Sequence, residues 1–219
     1  MIVNNKDYRL LPNEDFDSLQ KDIDNLKKTI ANSYRGRTRI INGNIVKYIN
    51  YYNALRKKTD FKNSYVKCFK NHCCYCGNSK TTILRISDFE IDHINASKKQ
   101  INRDRFDNLC PSCRICNRLK SDIVQSSAFA DKINPTLNIS NLFYRDAMLH
   151  VRIREELIND QEVVSFYNTL RLDNEVRRID YLLLCLNSLK DNAIKQEVKS
   201  LSKDIYDSLI NKRKDINDI

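Results

Sequence analysis

Apolar residues recur at helical spacing near both ends of the chain. In "EDFDSLQKDIDNLKKTIANS", residues 14–33, Pro12-Asn13 precede four apolar positions three or four residues apart: Leu19, Ile23, Leu26 and Ile30. Toward the C-terminus, "DQEVVSFYNTLRLDNEVRRIDYLLLCLNSLK" and "AIKQEVKSLSKDIYDSLINKRK" show the same periodicity. The pattern predicts amphipathic helices in all three segments. Within the second, a core stripe is preferred over a partner-binding face for Leu182, Leu183, Leu186 and Leu189.

Shorter apolar runs between these segments predict strands. "TTILRISDFEIDHI" alternates and predicts a strand ending near Asp92, and "CNRLKSDIVQSSAFA" after it predicts a helix. "NLFYRDAMLHVRI" predicts a short hairpin. "RTRIINGNIVKYI" predicts either a hairpin turning at Asn42-Gly43 or a loop that leads into a helix through "NIVKYINYYNALRKK". The expected fold class is α+β, mostly helical.

Composition restricts the class of protein and its cellular location. Only 3 Gly and 3 Pro in 219 residues argue against long flexible linkers, and 41% apolar residues suffice for a core. No apolar run approaches the roughly 20 residues of a membrane span, and the N-terminal "MIVNNKDYRLLPNEDF" has no signal-peptide pattern. These features favour a cytoplasmic protein.

The positive charge is concentrated in the first part of the chain. Residues 1–120 carry 24 Lys and Arg against 12 Asp and Glu, whereas residues 121–219 carry 14 against 16. A surface of this kind suits a polyanion such as DNA or RNA, although a merely solvated basic face is an equal alternative on charge alone. Tyr48, Tyr51 and Tyr52, among nearby basic residues, fit either a nucleic-acid surface or helix packing.

Cysteine spacing indicates a zinc site. "HCCYCGN" contains Cys73-x-x-Cys76, and "LCPSCRICNRLK" contains the overlapping pairs Cys110-x-x-Cys113 and Cys113-x-x-Cys116. Two such knuckles supply four thiolates to one tetrahedral Zn²⁺, and Gly77 allows the tight turn that the first knuckle needs. Buried thiols clustered by chance are the alternative. The 36 residues between the knuckles exceed the usual gap of about 15–20, so this segment holds something more.

That segment contains groups suited to phosphodiester hydrolysis. His93 follows Asp92 in "FEIDHI", and an imidazole with a pKa of about 6.5 accepts a proton from water at neutral pH. Mg²⁺ prefers oxygen ligands, which the Asp92 carboxylate and the Asn117 side-chain carbonyl offer. Each residue taken singly has an ordinary structural explanation. Their joint occurrence between the two zinc knuckles and directly after the second favours a catalytic site.

From about Cys73 to Lys120 the chain contains, in order, Cys-x-x-Cys, Asp-His, "FDNLC" and "CNRLK". This order resembles the HNH endonuclease family, whose core is a ββα-metal finger. "NRLKSD" also resembles the end of the HNH domain in CRISPR effector nucleases. The resemblance implies a metal-dependent nuclease acting on DNA, with RNA as the alternative. It implies that His93 is the general base, that Asp92 and Asn117 bind catalytic Mg²⁺ or Mn²⁺, and that Asn108 orients His93 and ties the loop.

The resemblance also decides between the overlapping cysteine pairs. Structural Zn²⁺ is assigned to Cys73, Cys76, Cys113 and Cys116, because this choice places Asn117 at the last motif position, whereas Cys110 would shift it. Seven basic residues around the motif are candidate nucleic-acid contacts: Lys98, Lys99, Arg103, Arg105, Arg114, Arg118 and Lys120.

The expected domain organisation has three parts: a basic, mainly helical region 1–70, a zinc-stapled nuclease finger 71–125, and a hairpin with helices in 126–219. This order loosely resembles the HNH subunits of antiphage systems of the Septu and retron-associated kind. That resemblance implies an ATPase partner docking on the C-terminal helices, and the HNH family suggests a homodimer. The alternative functions are a non-catalytic zinc-finger module that binds nucleic acid and an adaptor in a defence complex.

Overall fold

The computed structural model describes residues 7–79, 89–99, 104–124, 126–192 and 196–216. It contains eight α-helices and six strands within these ranges. The strands form three separate antiparallel pairs, so the fold is α+β as expected. None of the helices in the described ranges is long and apolar enough to cross a membrane.

The chain divides into two compact units, and the first comprises residues 1–15, 75–85 and 140–219. Strands β5 and β6 form its short hairpin, which confirms the prediction from "NLFYRDAMLHVRI". Three helices, α6 to α8, follow the hairpin. The bounds of these elements are β5 Phe143–Arg145, β6 Val151–Ile153, α6 Gln161–Thr169, α7 Glu175–Asn192 and α8 Gln196–Asp215.

Aromatic rings build the core of this unit. Phe143 stacks on Phe166 and Tyr167 and meets Tyr8 edge-on, and the Arg145 guanidinium lies 3.6 Å above the Tyr181 ring. The predicted leucine stripe of α7 is only partly core. Leu183 is fully buried, whereas Leu189 is 52% exposed.

The second unit comprises residues 16–74 and 86–139. It begins with the predicted first helix, α1, whose buried residues are the four that the apolar pattern selected: Leu19, Ile23, Leu26 and Ile30. Helix α1 spans Leu19–Ser33. The elements that follow it in this unit are β1 Arg37–Ile41, β2 Asn44–Tyr48, α2 Tyr51–Lys57, α3 Thr59–Cys68, β3 Phe89–His93, β4 Leu109–Cys113, α4 Arg114–Lys120 and α5 Ser127–Lys132. The expected three-part division of the chain stays a prediction.

The hairpin alternative is correct for β1 and β2. Asn42 and Gly43 both have positive φ, 49° and 79°, which is the backbone of a two-residue turn between twisted strands. A helix then follows the hairpin instead of replacing β2. Asn50 caps α2, since its side-chain oxygen accepts a hydrogen bond from the backbone N–H of Asn53.

Strands β3 and β4 and helix α4 form a ββα unit. The two strands are antiparallel, with Asp92 opposite Cys110 and His93 opposite Leu109. One continuous helix was predicted from Cys116 to Ala130, and the structure has two. Helix α4 ends at Lys120, because Ser121 has a positive φ of 42°, and α5 begins at Ser127. The region 80–88, which includes most of the predicted β3 approach, lies outside the described residues.

Candidate functional site

Four buried cysteines converge in the structure. The Sγ atoms of Cys73, Cys76, Cys113 and Cys116 all lie within 4.8 Å of one another. This is the set that the sequence assigned to zinc, and Cys110 is not in it. Four soft thiolates in a closed, buried cluster have the donor chemistry of a structural tetrahedral Zn²⁺ site. In the part of the chain that the structure describes, this is the one cluster of three or more His, Cys, Asp or Glu placed to hold a metal ion.

Backbone N–H groups point at the sulfurs. Cys113 N–H donates to Cys73 Sγ at 3.2 Å, Cys116 N–H donates to Cys113 Sγ at 3.4 Å, and Asn78 N–H donates to Cys76 Sγ at 3.5 Å. Such donors stabilise the thiolate form that zinc requires. They arise from the local fold, because β4 ends at Cys113, whose side chain caps the first turn of α4.

The first knuckle depends on a glycine, as the sequence indicated. Gly77 has φ +74°, and a Cβ added there would lie 2.6 Å from the Cα of Arg9. Any other residue would therefore be strained and would collide with backbone atoms. The turn at Gly77 follows directly on Cys76, one of the four clustered cysteines.

A side chain that sequence reasoning missed also contacts the cluster. Buried Arg177, from α7, donates from Nη1 to Cys76 Sγ at 3.2 Å. Nearby, Asp180 accepts hydrogen bonds from Asn78 Nδ2 and Arg213 Nε, while burial raises the pKa of its carboxyl group against the opposing effect of Arg213. The guanidinium of Arg177 offsets part of the double negative charge that a Zn(Cys)₄ centre carries.

Asp92 and His93 lie together at the end of β3, both more than nine-tenths buried. His93 Nε2 is 3.0 Å from Asp104 Oδ1, and its ring packs against Tyr52 with 4.5 Å between centroids. Asn50 Nδ2 donates to the other oxygen of Asp104 at 3.2 Å. Asp104 was not among the site residues selected from the sequence. No local pattern links it to His93, because it lies 11 residues later in the chain.

Lys120 occupies a position that the sequence did not predict. Its side chain is fully buried, and its ammonium lies 3.1 Å from Asp92 Oδ2 and donates to the backbone oxygen of His93 at 3.0 Å. Lys120 was grouped with the candidate nucleic-acid contacts on the surface. In the structure it supports Asp92 and the end of β3 from inside the finger.

Asn108 and Asn117 make different contacts. Asn108 binds both backbone groups of Asn95, accepting from N–H at 2.8 Å and donating to the carbonyl at 3.0 Å. These bonds tie the loop after β3, which is one of the two expected roles, while the ring of His93 is held by Asp104. Asn117 Nδ2 donates to Glu90 Oε2 at 2.5 Å. Its Oδ1 is therefore the atom suited to a metal ion.

Most of the other candidate nucleic-acid contacts lie on the surface. Lys98, Arg114 and Arg118 are exposed, as are Lys99 and Arg105, which form ion pairs with Asp122 at 2.6 Å and Asp107 at 2.7 Å. The seventh, Arg103, lies outside the described residues. Their nucleic-acid role stays a prediction.

Comparison with protein families agrees with the geometry. Residues 73–122 match the family model described as HNH endonuclease. A search of curated proteins found no match, and neither did a search of solved structures. The matched range spans the first knuckle, β3, β4, the second knuckle and α4. Residues 73–122 of this chain therefore resemble an HNH endonuclease domain, and the four-cysteine cluster has the composition of a zinc site.

Proposed function

We propose that this protein is a metal-dependent endonuclease that hydrolyses phosphodiester bonds of DNA, with His93 as general base. The observation that supports this most is the contact between His93 Nε2 and Asp104 Oδ1, made by the residue that follows Asp92 in β3. A module that only binds nucleic acid has no use for a buried imidazole held by a buried carboxylate. The HNH domain supports the same reaction class.

The tautomer of His93 follows from its partner. An ionised carboxylate only accepts hydrogen bonds, so Nε2 carries the proton that is shared with Asp104. Nδ1 then carries the lone pair and accepts a proton from the attacking water. Asp104 also stabilises the imidazolium that forms, as acids behind catalytic histidines do. Tyr52 packs against the ring and restricts its rotation.

Asp92 and Asn117 fit a hard divalent cation. The ammonium of Lys120 holds the Asp92 carboxylate in place at 3.1 Å, and the hydrogen bond to Glu90 leaves Asn117 with its amide oxygen as the ligand atom. We assign Mg²⁺ or Mn²⁺ to these two oxygen ligands. Such an ion, when bound, neutralises charge on the scissile phosphate and stabilises the leaving 3′-oxygen.

Plasmid cleavage tests this function. We expect zinc-loaded protein to convert supercoiled plasmid into nicked or linear DNA when Mg²⁺ or Mn²⁺ is added, and to leave it intact without added ion. A structured RNA run in parallel decides between the two nucleic acids. Plasmid that is bound but uncut with every ion would favour the non-catalytic zinc-finger module.

We propose further that the nuclease serves an antiphage system with an ATPase partner docked on the C-terminal helices. In the described parts of helices α7 and α8, four large apolar residues are exposed: Leu189, Val198, Leu201 and Ile205. Leu201 is the most exposed of them, at 61%. Scattered exposed apolar residues are common, but Val198, Leu201 and Ile205 are three or four residues apart and so share one face of α8, which suits a protein partner. A homodimer, which would supply two active sites for a double-strand cut, is the alternative use of this face.

Leu201→Glu is a sharper test of docking than deletion of residues 161–219, because that deletion also removes Arg177 from Cys76. We expect wild-type protein to co-elute with an ATPase subunit of a Septu- or retron-type system and Leu201→Glu to elute alone. Ser200→Glu, at an exposed position of the same helix, changes the charge by the same amount and should still co-elute. Failure of wild-type protein to co-elute would remove the defence role without affecting the nuclease proposal. Light scattering of both proteins alone reports the homodimer.

A further inference from the structure

A groove of about 380 Å³ opens beside Asn117, on the side of the finger that faces helix α2. Three of its lining residues come from the helices that precede the HNH domain, and four belong to the domain. The lining residues are Tyr52, Arg56, Lys62, Phe89, Glu90, Ile91 and Asn117. The groove therefore joins a proposed metal ligand to a part of the chain that the family model does not match.

Helix α2 presents an aromatic ring and a cation on the same face. Tyr52 and Arg56 are four residues apart, one helical turn, and the Arg56 guanidinium lies 5.3 Å from the centroid of the Tyr52 ring. The same ring packs against His93. Arg56 is thus only one side chain away from the proposed general base, although it is 37 residues distant in sequence.

The charge of the groove suits an anion. Among the lining residues that the structure describes, Arg56 and Lys62 supply two positive charges, and the one acid, Glu90, accepts a hydrogen bond from Asn117. A guanidinium that lies on a ring keeps its N–H groups directed outward, and these groups match phosphate oxygens in geometry.

We propose that this groove binds a backbone phosphate of the strand that is cut, adjacent to the scissile bond, through Arg56 and Lys62. The inference rests on the proposed nuclease function and extends it to residues outside the HNH domain. Contacts of this kind hold the strand in register without reading its sequence. They would place the next phosphate at His93, Asp92 and Asn117.

Binding measurements with a matched pair of double variants test the proposal. Fluorescence anisotropy is recorded with zinc-loaded protein and a fluorescein-labelled 30-base-pair DNA, with no Mg²⁺ or Mn²⁺ added. Arg56→Ala/Lys62→Ala should bind about tenfold more weakly at 0.15 M salt, and the slope of log K against log salt should fall by about 2. Lys57→Ala/Lys58→Ala removes the same charge from exposed positions outside the groove. This control should bind within about twofold of wild type.

Equal losses in the two double variants would overturn the proposal, because they would show that only diffuse charge matters. Unchanged binding by Arg56→Ala/Lys62→Ala would overturn it as well, as would a wild-type protein that does not bind the DNA. Circular dichroism and zinc content establish that both variants are folded. Plasmid cleavage with Mg²⁺ or Mn²⁺ is measured separately on wild-type protein. If wild-type protein cuts plasmid but Arg56→Ala/Lys62→Ala binds DNA no more weakly than the control, only the assignment of the groove is rejected. If that variant binds more weakly but wild-type protein does not cut, only the nuclease proposal is rejected.

Discussion

Cys113→Ala is expected to abolish zinc binding and to remove cooperative unfolding of the HNH domain. Cys113 contributes one of the four clustered sulfurs, and its own N–H donates to the sulfur of Cys73. It also stands at the junction of β4 and α4, where its side chain caps the helix. Loss of one thiolate leaves three ligands and opens a closed site, so the affinity for the structural ion falls steeply.

The large expected effect reflects how little else stabilises the finger. Strands β3 and β4 have five residues each, and α4 has seven. Units of this size bury too little apolar surface to fold without a staple. Structural Zn²⁺ supplies on the order of 10 kcal/mol of apparent binding free energy in zinc-finger peptides, and this energy is lost when the ion leaves.

Cys110→Ala is the matched control. Cys110 is equally buried and lies three residues earlier on the same strand, but its sulfur is outside the four-cysteine cluster. It neighbours Cys74, whose thiol has a pKa raised well above the ordinary value by burial and by its hydrogen bond with Cys110. We expect one zinc per chain and a loss of about 1–2 kcal/mol of stability from the small cavity.

Zinc content by plasma mass spectrometry and thermal unfolding by circular dichroism measure both variants. Retention of a full equivalent of zinc in Cys113→Ala would contradict the assigned ligand set. Loss of zinc in Cys110→Ala would show that the overlapping pair Cys110-x-x-Cys113 is the true second knuckle.

Local patterns in the sequence were sufficient for much of the finger. Cys-x-x-Cys spacing identified the two knuckles because the knuckle geometry is contained within four residues, and the family resemblance chose Cys116 over Cys110 as the fourth ligand. The apolar period of α1 identified its buried face, and Asn42-Gly43 identified a turn, since both signals are local. Asp92 and His93 were found as neighbours in sequence at the end of an alternating run.

Contacts between distant segments could not be predicted in the same way. Asp104, Tyr52 and Lys120 reach His93 or Asp92 from a loop, from α2 and from α4, and no periodicity encodes such pairings. The number of basic residues in a segment also does not show which lysine is buried, so the burial of Lys120 was not predicted. The break at Ser121 lacked a glycine or proline to mark it, although its backbone is left-handed.

His93→Ala is expected to lower the rate of plasmid cleavage about 10³-fold or more while leaving DNA binding intact. A positioned general base contributes roughly 10²–10⁴-fold to the rate, and removal of the imidazole also leaves Asp104 without its partner. Asp104→Asn keeps one oxygen that accepts the Nε2–H hydrogen bond, while its new NH₂ group replaces the acceptor of the Asn50 hydrogen bond. It removes the negative charge, however, and should lower the rate about 10- to 100-fold.

His150→Ala controls for the loss of a histidine elsewhere. His150 is partly buried and lies within 3.7 Å of Asp146 and of Glu175, all in the first unit. We expect its cleavage rate to equal that of wild type.

A His93→Ala variant that retains more than about a tenth of the wild-type rate would show that another group activates the water. Asp104→Asn as slow as His93→Ala, with normal folding, would show that the charge of Asp104 is as necessary as the imidazole. Because DNA binding is measured on the same samples, a loss of cutting can be attributed to the chemical step and not to a lost substrate.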